Sequence, residues 1–254
     1  MSRHVLVTGA AGGIGLAAAR AFAALGDTVT GVDAREAELA MAMAPIQGRA
    51  LVADLADARC GEVVKRAVAA AGPVDVLVNA AGIYPATPFA ELTAKAWDRV
   101  QNVNVRAPLL LTQAVAAAGL PGAVVNISSS AATRARPGAA AYCTSKAAVE
   151  MLTKACAVEL AGQGLRVNAV APGFVEVDSD VNPVTPEYAA AVSANPIGRS
   201  GQPAEIAAAI VWLAGDQAGF VTGTILRVDG GATAGSTALP PHYPTTTALQ
   251  GSAS

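Results

Sequence analysis

The feature that most constrains this chain is a repeated alternation, in which a short run of Val, Leu and Ile gives way to a longer Ala- and Leu-rich stretch. The apolar runs fall at His4–Val7, Thr28–Val32, Ala50–Ala53, Val74–Asn79, Ala123–Ile127, Arg166–Ala171 and Thr224–Val228. They show little polar alternation, as expected of strands covered on both faces. Between them Ile14–Leu25, Glu36–Met43, Gly61–Ala71, Trp97–Ala117, Ala147–Leu160 and Pro203–Leu213 read as helices. Strand-then-helix repetition specifies a parallel sheet with right-handed crossovers. The expected fold is α/β: one doubly wound parallel sheet of about seven strands with helices on both faces. No linker interrupts residues 1–231, which read as one domain. Residues 232–254 lack Asp, Glu, Lys and Arg and are rich in Thr, Ser and Pro. Two readings of this tail stay open: a mobile end, or an arm anchored by His242 and Tyr243 on a neighbouring subunit or a substrate pocket.

Composition removes several classes of function. With 53% hydrophobic and 14% charged residues, the chain is built around a large buried core. A net charge of −2 offers no footprint for nucleic acid. No apolar stretch approaches the roughly 20 residues needed to cross a bilayer, so no membrane partner is expected. Met1-Ser2-Arg3-His4 runs directly into the apolar run from Val5, without a charged leader and cleavage site, so secretion is not expected. Cys60, Cys143 and Cys156 are odd in number and lack metal-ligand spacing, which reads as three reduced thiols in a cytoplasmic protein. Only His4 and His242 are present, so neither a histidine triad nor a zinc site is expected, and no metal.

The first strand runs straight into Thr8-Gly9-Ala10-Ala11-Gly12-Gly13-Ile14-Gly15, and then into an Ala-rich helix. Glycines let backbone approach a pyrophosphate, and the helix N-terminus offers free N–H groups and the positive end of its dipole. With Gly9, Gly13 and Gly15 as anchors, the pattern is Thr-Gly-x-x-x-Gly-Ile-Gly rather than Gly-x-Gly-x-x-Gly. This variant resembles the turn of the short-chain dehydrogenase/reductase family. Asp33 closes the second strand, 18 residues after Gly15. A carboxylate there accepts both adenosine-ribose hydroxyls and repels a 2′-phosphate, which favours NAD over NADP. Arg35 is the one cation nearby; it softens that preference or merely starts a solvated helix. Asp54-Leu55, after the third strand, matches the family's adenine contact, although a bare Asp at that place also caps helices.

Tyr142 and Lys146 are four residues apart and share one helical face. Ser129 lies thirteen residues before Tyr142, at the carboxyl end of an apolar strand, where parallel sheets bind ligands. Oxidising an alcohol needs a base, and a free phenol ionises near pH 10. Bringing it to about 7 takes roughly 4 kcal/mol of preferential stabilisation of the phenolate. The Lys146 ammonium and the positive ring of an oxidised nicotinamide are natural sources, with Ser129 holding the substrate oxygen. In reduction Tyr142 returns the proton.

These residues extend the resemblance. Asn79-Ala80-Ala81-Gly82 looks like the family's segment after the fourth strand, and Asn104 matches its fourth catalytic position, implying support of a water relay from the lysine. Pro172-Gly173 resembles the segment under the nicotinamide, and Val228-Asp229-Gly230-Gly231 the closing strand. On these motifs the chain is identified as a member of the family over about residues 4–231. The resemblance implies a Rossmann-like fold, NAD and a secondary alcohol or ketone as substrate. Its catalytic set is Asn104, Ser129, Tyr142 and Lys146. Its cofactor set is Gly9, Gly13, Ile14, Gly15, Asp33, Asp54, Leu55, Asn79, Ala80, Ala81, Gly82, Tyr142, Lys146, Pro172, Gly173 and Val175, the last through its backbone.

Several choices are open in the sequence. Ser128, Ser129 and Ser130 adjoin, and only spacing selects Ser129; Asn102 competes with Asn104. Asn79 can tie strands together rather than serve chemistry. Where the family often has Thr after Pro-Gly, this chain has Val177, with Ser179 as a stand-in. Substrate contacts are expected from Tyr84, Ala131, Arg134, Phe174 and residues 176–188. Glu176, Asp178 and Asp180 make one wall acidic, facing Arg134 and Arg136. That charge recognises a polar substrate or is a solvated, mutually paired surface. The family also implies a homotetramer or homodimer packed through 97–117 and 147–160. A rival reading is a non-catalytic, NAD(H)-binding regulator of the same fold, which has no need of Tyr, Lys, Ser and Asn together.

Overall fold

The computed structural model describes residues 2–177, 185, 187, 189, 191, 193 and 195–235. Asp178, Ser179, Asp180, Tyr188, His242 and Tyr243 lie outside them. Seven strands form one parallel sheet: β1 (His4–Thr8), β2 (Thr28–Asp33), β3 (Arg49–Val52), β4 (Val76–Asn79), β5 (Gly122–Ile127), β6 (Leu165–Pro172) and β7 (Ile225–Val228). Their order is β3-β2-β1-β4-β5-β6-β7. The chain therefore winds outward from β1 in one direction and from β4 in the other. Between the ends of β1 and β4 the covering connections part, leaving the crevice where such sheets bind ligands.

Helices α1 (Gly13–Ala24), α2 (Glu36–Met43) and α7 (Pro203–Ala214) cover one face, and α3 (Glu62–Ala71), α5 (Ala107–Ala116) and α6 (Ala140–Leu160) the other. Successive strand residues serve opposite faces. Val5 and Val7 join Phe22, Leu39, Ile206 and Ile210 in one core, while Leu6 joins Val63, Leu111, Val124 and Leu165 in the other. Phe22 is fully buried, so Phe22→Ala would cost about 3–5 kcal/mol.

The helix predicted over Trp97–Ala117 is broken. It starts earlier, as α4 (Ala94–Gln101), capped by the Thr93 hydroxyl accepting from Ala96 N at 3.2 Å, and opens into a π-helical turn over Asn102–Arg106 before α5. Apolar periodicity does not register one extra residue in a turn. The helix predicted from Ala147 begins at Ala140 instead. Thr144 and Ser145 are poor helix formers that mask its first turns, but Ser145 Oγ donates back to the Tyr142 carbonyl at 2.7 Å. Among the described residues, no helix is long and apolar enough to cross a membrane.

Candidate active site

The glycine turn is built by close backbone contact. Gly9 has a φ of 69°, and a Cβ there would lie 2.9 Å from Ala81 Cα. A Cβ on Gly15 would lie 2.2 Å from the Gly9 carbonyl oxygen, closer than any side chain permits. The Thr8 hydroxyl accepts from Ala80 N at 3.0 Å and Ala81 N at 3.1 Å, locking the turn against the segment after β4. Helix α1 then begins with Gly12 as its cap residue, with no side-chain cap and no acid in its first turn. Its leading N–H groups, Gly13 and Ile14 among them, keep their positive end for an incoming anion. The Val177 side chain lies over this turn, 3.4 Å from where a Gly13 Cβ would stand.

At the end of β2, Asp33 Oδ2 accepts from Ala11 N at 3.2 Å, and Oδ1 accepts from Arg35 N and Nε at 3.1 and 3.2 Å. Arg35 is therefore ion-paired with Asp33 rather than simply solvated. Asp54 Oδ1 caps its own turn by accepting from Ala56 N at 2.9 Å, with Arg99 Nη1 4.0 Å from its other oxygen. A groove of about 280 Å³ opens beside it, lined by Val52, Ala53, Asp57, Cys60 and Arg66. Leu55 is buried in the core, so only its backbone faces outward chemistry.

The residues from β4, β5, α6 and the π turn converge next to this turn. Lys146 is buried and donates to the Ile127 carbonyl at 2.7 Å, with its ammonium 5.7 Å from the Tyr142 ring centroid. Burial lowers its pKa to about 8. Gly82 lies between partners: a Cβ there would be 3.5 Å from both Asn104 Oδ1 and Lys146 Nζ. Asn104, rather than Asn102, is the buried amide of the π turn. Its Oδ1 accepts from Ile83 N at 2.9 Å, and its Nδ2 donates to Ile83 O at 2.9 Å and to Ser145 Oγ at 3.0 Å.

Of the three serines, Ser129 faces the phenol. Its hydroxyl favours the Tyr142 phenolate and also accepts from Ala131 N at 3.1 Å. Ser128 instead donates to Glu150 Oε1 at 3.1 Å, behind the site. In the protein without a dinucleotide the phenol lies higher than its ordinary value. Burial is the dominant cause, opposed by Ser129 and by Arg136. Tyr84 stands against the same ring, with centroids 5.7 Å apart.

Asn79 spends its Nδ2 on Asn126 Oδ1 at 2.8 Å, joining β4 to β5, and Asn126 passes on to Thr153 Oγ1 at 2.9 Å. On the far wall, Pro172 ends β6 and Gly173 N donates to Val228 O at 3.0 Å. Val175 bridges Gly201 through the Phe174 carbonyl and the Glu176 amide, a pairing that does not use the N–H of Val175. Arg134 donates to the Ala232 carbonyl, and Arg136 lies over Tyr142, while the acidic residues Asp178 and Asp180 expected opposite them lie outside the described residues.

Sequence reasoning missed Ser145, Glu150 and Arg106. Glu150 follows Lys146 by one helical turn, a spacing that signals it. Ser145, between Tyr142 and Lys146, carries no signal of its own. Arg106 donates to the Ala56 carbonyl, tying the π turn to the loop of Asp54.

An uncapped glycine turn beside Ser129, Tyr142 and the buried Lys146 and Asn104 invites comparison with known proteins. The family model described as enoyl-(acyl carrier protein) reductase matches residues 9–233. The chain is a short-chain dehydrogenase/reductase. It is 38% identical over 236 residues to human L-xylulose reductase, covering 90% of this chain and 96% of that protein. Among solved structures, a blue fluorescent protein from a metagenomic library in complex with NADPH superposes with a TM-score of 0.85 at 34% identity, covering 91% of this chain and 97% of that one. A 4-hydroxyisoleucine dehydrogenase complexed with NADH gives 0.82 at 30% identity, covering 92% and 100%. This short-chain dehydrogenase/reductase thus has structural relatives with either nicotinamide cofactor.

Proposed function

We propose that this chain is an NAD-dependent oxidoreductase that interconverts a secondary alcohol and a ketone, with Tyr142 as general base and acid. The observation that carries the reading is the convergence of Ser129, Tyr142, Lys146 and Asn104 beside a glycine turn whose helix has no cap of its own. A dinucleotide fits the residues present. Gly9, Gly13, Ile14 and Gly15 offer the pyrophosphate backbone donors, Asp33 the ribose hydroxyls an acceptor, and Asp54 and the backbone of Leu55 stand after β3 for the adenine ring. Ala80, Ala81 and Gly82 floor the crevice, with Asn79 fixing the strand beneath them. Pro172, Gly173 and the amide of Val175 line the nicotinamide side.

Bound there, the cofactor supplies or accepts the hydride and, when oxidised, adds a positive charge next to the phenol. Ser129 holds the substrate oxygen as charge develops on it. Tyr142 takes the hydroxyl proton in oxidation and gives it back in reduction. Lys146 keeps two donors beyond the one bound to Ile127, enough for the nicotinamide ribose and a water leading toward Asn104. Asp33 favours NAD, because its carboxylate repels a 2′-phosphate; Arg35, already paired with it, only moderates that preference. The protein acts in the cytoplasm as a homotetramer or homodimer, a reading supported by exposed Met151 and Val158 on α6. Residues 1–231 form the catalytic domain and 232–254 an appended tail.

The test is a cofactor-reduction assay with NAD and NADP against a panel of secondary alcohols and polyols. Activity should appear with NAD and vanish in Tyr142→Phe. Full turnover by that variant would overturn the mechanism, and a preference for NADP would overturn the cofactor assignment.

A further inference from the structure

We propose that Arg136 is a positioning residue for proton transfer, its guanidinium held over the Tyr142 ring to stabilise the phenolate and set the pH at which it forms. The inference rests on the reading of Tyr142 as the proton-transfer group. The Arg136 guanidinium carbon lies 5.7 Å from the ring centroid. An aromatic face attracts a cation, and the attraction grows when the ring carries a full negative charge. The contact therefore favours the ionised form over the neutral one.

The groups facing the phenol divide by what they can do. From α6, Lys146 stands 5.7 Å from the centroid, but its ammonium is buried, bound to the Ile127 carbonyl and weakened by that burial. From the loop after β5, Ser129 contributes a neutral hydroxyl and Arg136 a cation; from the loop after β4, Tyr84 contributes a ring, and Cys143 follows on α6. Arginine stays charged across the whole working range of the enzyme, whereas the lysine does not. Arg136 is thus the one permanent cation among these groups.

The loop holds it there. Pro137 confines Arg136 to extended backbone. The Ala139 amide donates to the Arg136 carbonyl at 3.3 Å, and the Thr87 amide to the Gly138 carbonyl at 2.9 Å, fastening this loop to the one that carries Tyr84. Arg136 is half-buried, so its charge is screened less than that of a free surface arginine.

The test compares wild type, Arg136→Gln and Arg136→Lys. Ultraviolet difference titration, with Tyr142→Phe as the blank, reads the ionisation of this one phenol without any substrate. Its midpoint should rise by about one pH unit in Arg136→Gln and return most of the way in Arg136→Lys. With an active alcohol, the rising limb of kcat for oxidation should move by the same amount. That is about a tenfold loss below both midpoints and none above them. A merely structural role would lower the rate at every pH and leave the midpoint in place, and that result overturns the inference. If Arg136→Gln melts early, Arg136→Met keeps the side-chain stem and serves in its place. Oxidation by Tyr142→Phe would instead defeat the reading of Tyr142 itself.

Discussion

Helices α1 and α7 are both 12 residues long and pack against one another on the same face of the sheet, yet they begin in opposite ways. Helix α7 is closed at its start by its own residues. Glu205 Oε2 accepts from Gln202 N at 2.8 Å, Pro203 occupies the first turn, and Arg199 pairs with Glu205 at 2.6 Å. Helix α1 starts on two bare glycines, and among the described residues no side chain caps its first N–H groups. The difference separates stability from binding. A helix start that has found its acceptors has nothing left for a ligand, and one left open on glycine gives up about 0.3 kcal/mol of capping to remain receptive. Lys146 repeats the contrast in charge, being a buried cation that folding would do better without.

Substitutions can break or sharpen this division. The largest effect is expected from Gly15→Ala, whose methyl would drive into the Gly9 carbonyl; titration of NADH fluorescence should show binding lost altogether. Lys146→Met should lower kcat by 10²–10⁴ while raising Tm, since it removes a buried ammonium. Its pH dependence is equally specific. Wild type should gain stability as pH rises between about 8 and 10.5, the window in which only the unfolded lysine holds its proton, and the variant should not. In ketone reduction, where Tyr142 and Lys146 both work protonated, activity should fall with a midpoint near 8; a fall only above 10 would assign it to the phenol.

Gly12→Asp tests the comparison directly. Gly12 has extended backbone that any residue adopts, and among the described residues an added Cβ would meet only Arg35 Nη2, at 3.8 Å. The new cap should stabilise α1 by about 0.5 kcal/mol and weaken dinucleotide binding about tenfold. A rise in both would refute the trade. Val177→Thr, placing a hydroxyl over the same open turn, should tighten NAD binding about threefold by isothermal titration calorimetry. The smallest change belongs to the closed helix: Glu205→Gln should lower Tm by about 2 °C and leave kcat untouched. The hydrogen bond to Arg199 holds the Glu205 carboxyl at about 2, so the variant's deficit should be present above pH 4.5 and vanish as pH falls toward 2.

The sheet was legible because each strand carries a short Val-, Leu- or Ile-rich run, and α2 matches its predicted span because Pro45 stops the α-helix and a 3-10 turn over Ala44–Ile46 follows it. Legibility failed where one residue changes a turn. Nothing in Asn102-Val103-Asn104 announces a π turn, and only the buried bonds of Asn104 to Ile83 separate it from Asn102. The glycine turn and the Tyr142–Lys146 spacing could be read because backbone clearance and helical pitch are local. The altitude of the phenol could not, since it depends on burial by segments far apart in the chain. Arg136 was visible as a charge, but its place over Tyr142 comes from a loop clamp that links residues 87 and 138.

The contact between Gly9 and Gly15 also tells an engineer where variation is affordable. One wall of the crevice is main chain against main chain, so a library that randomises it will consist mostly of unfolded or empty proteins. The opposite wall, around Tyr84, Arg134 and Glu176, is made of side chains on loops, and new substrate ranges should be sought there.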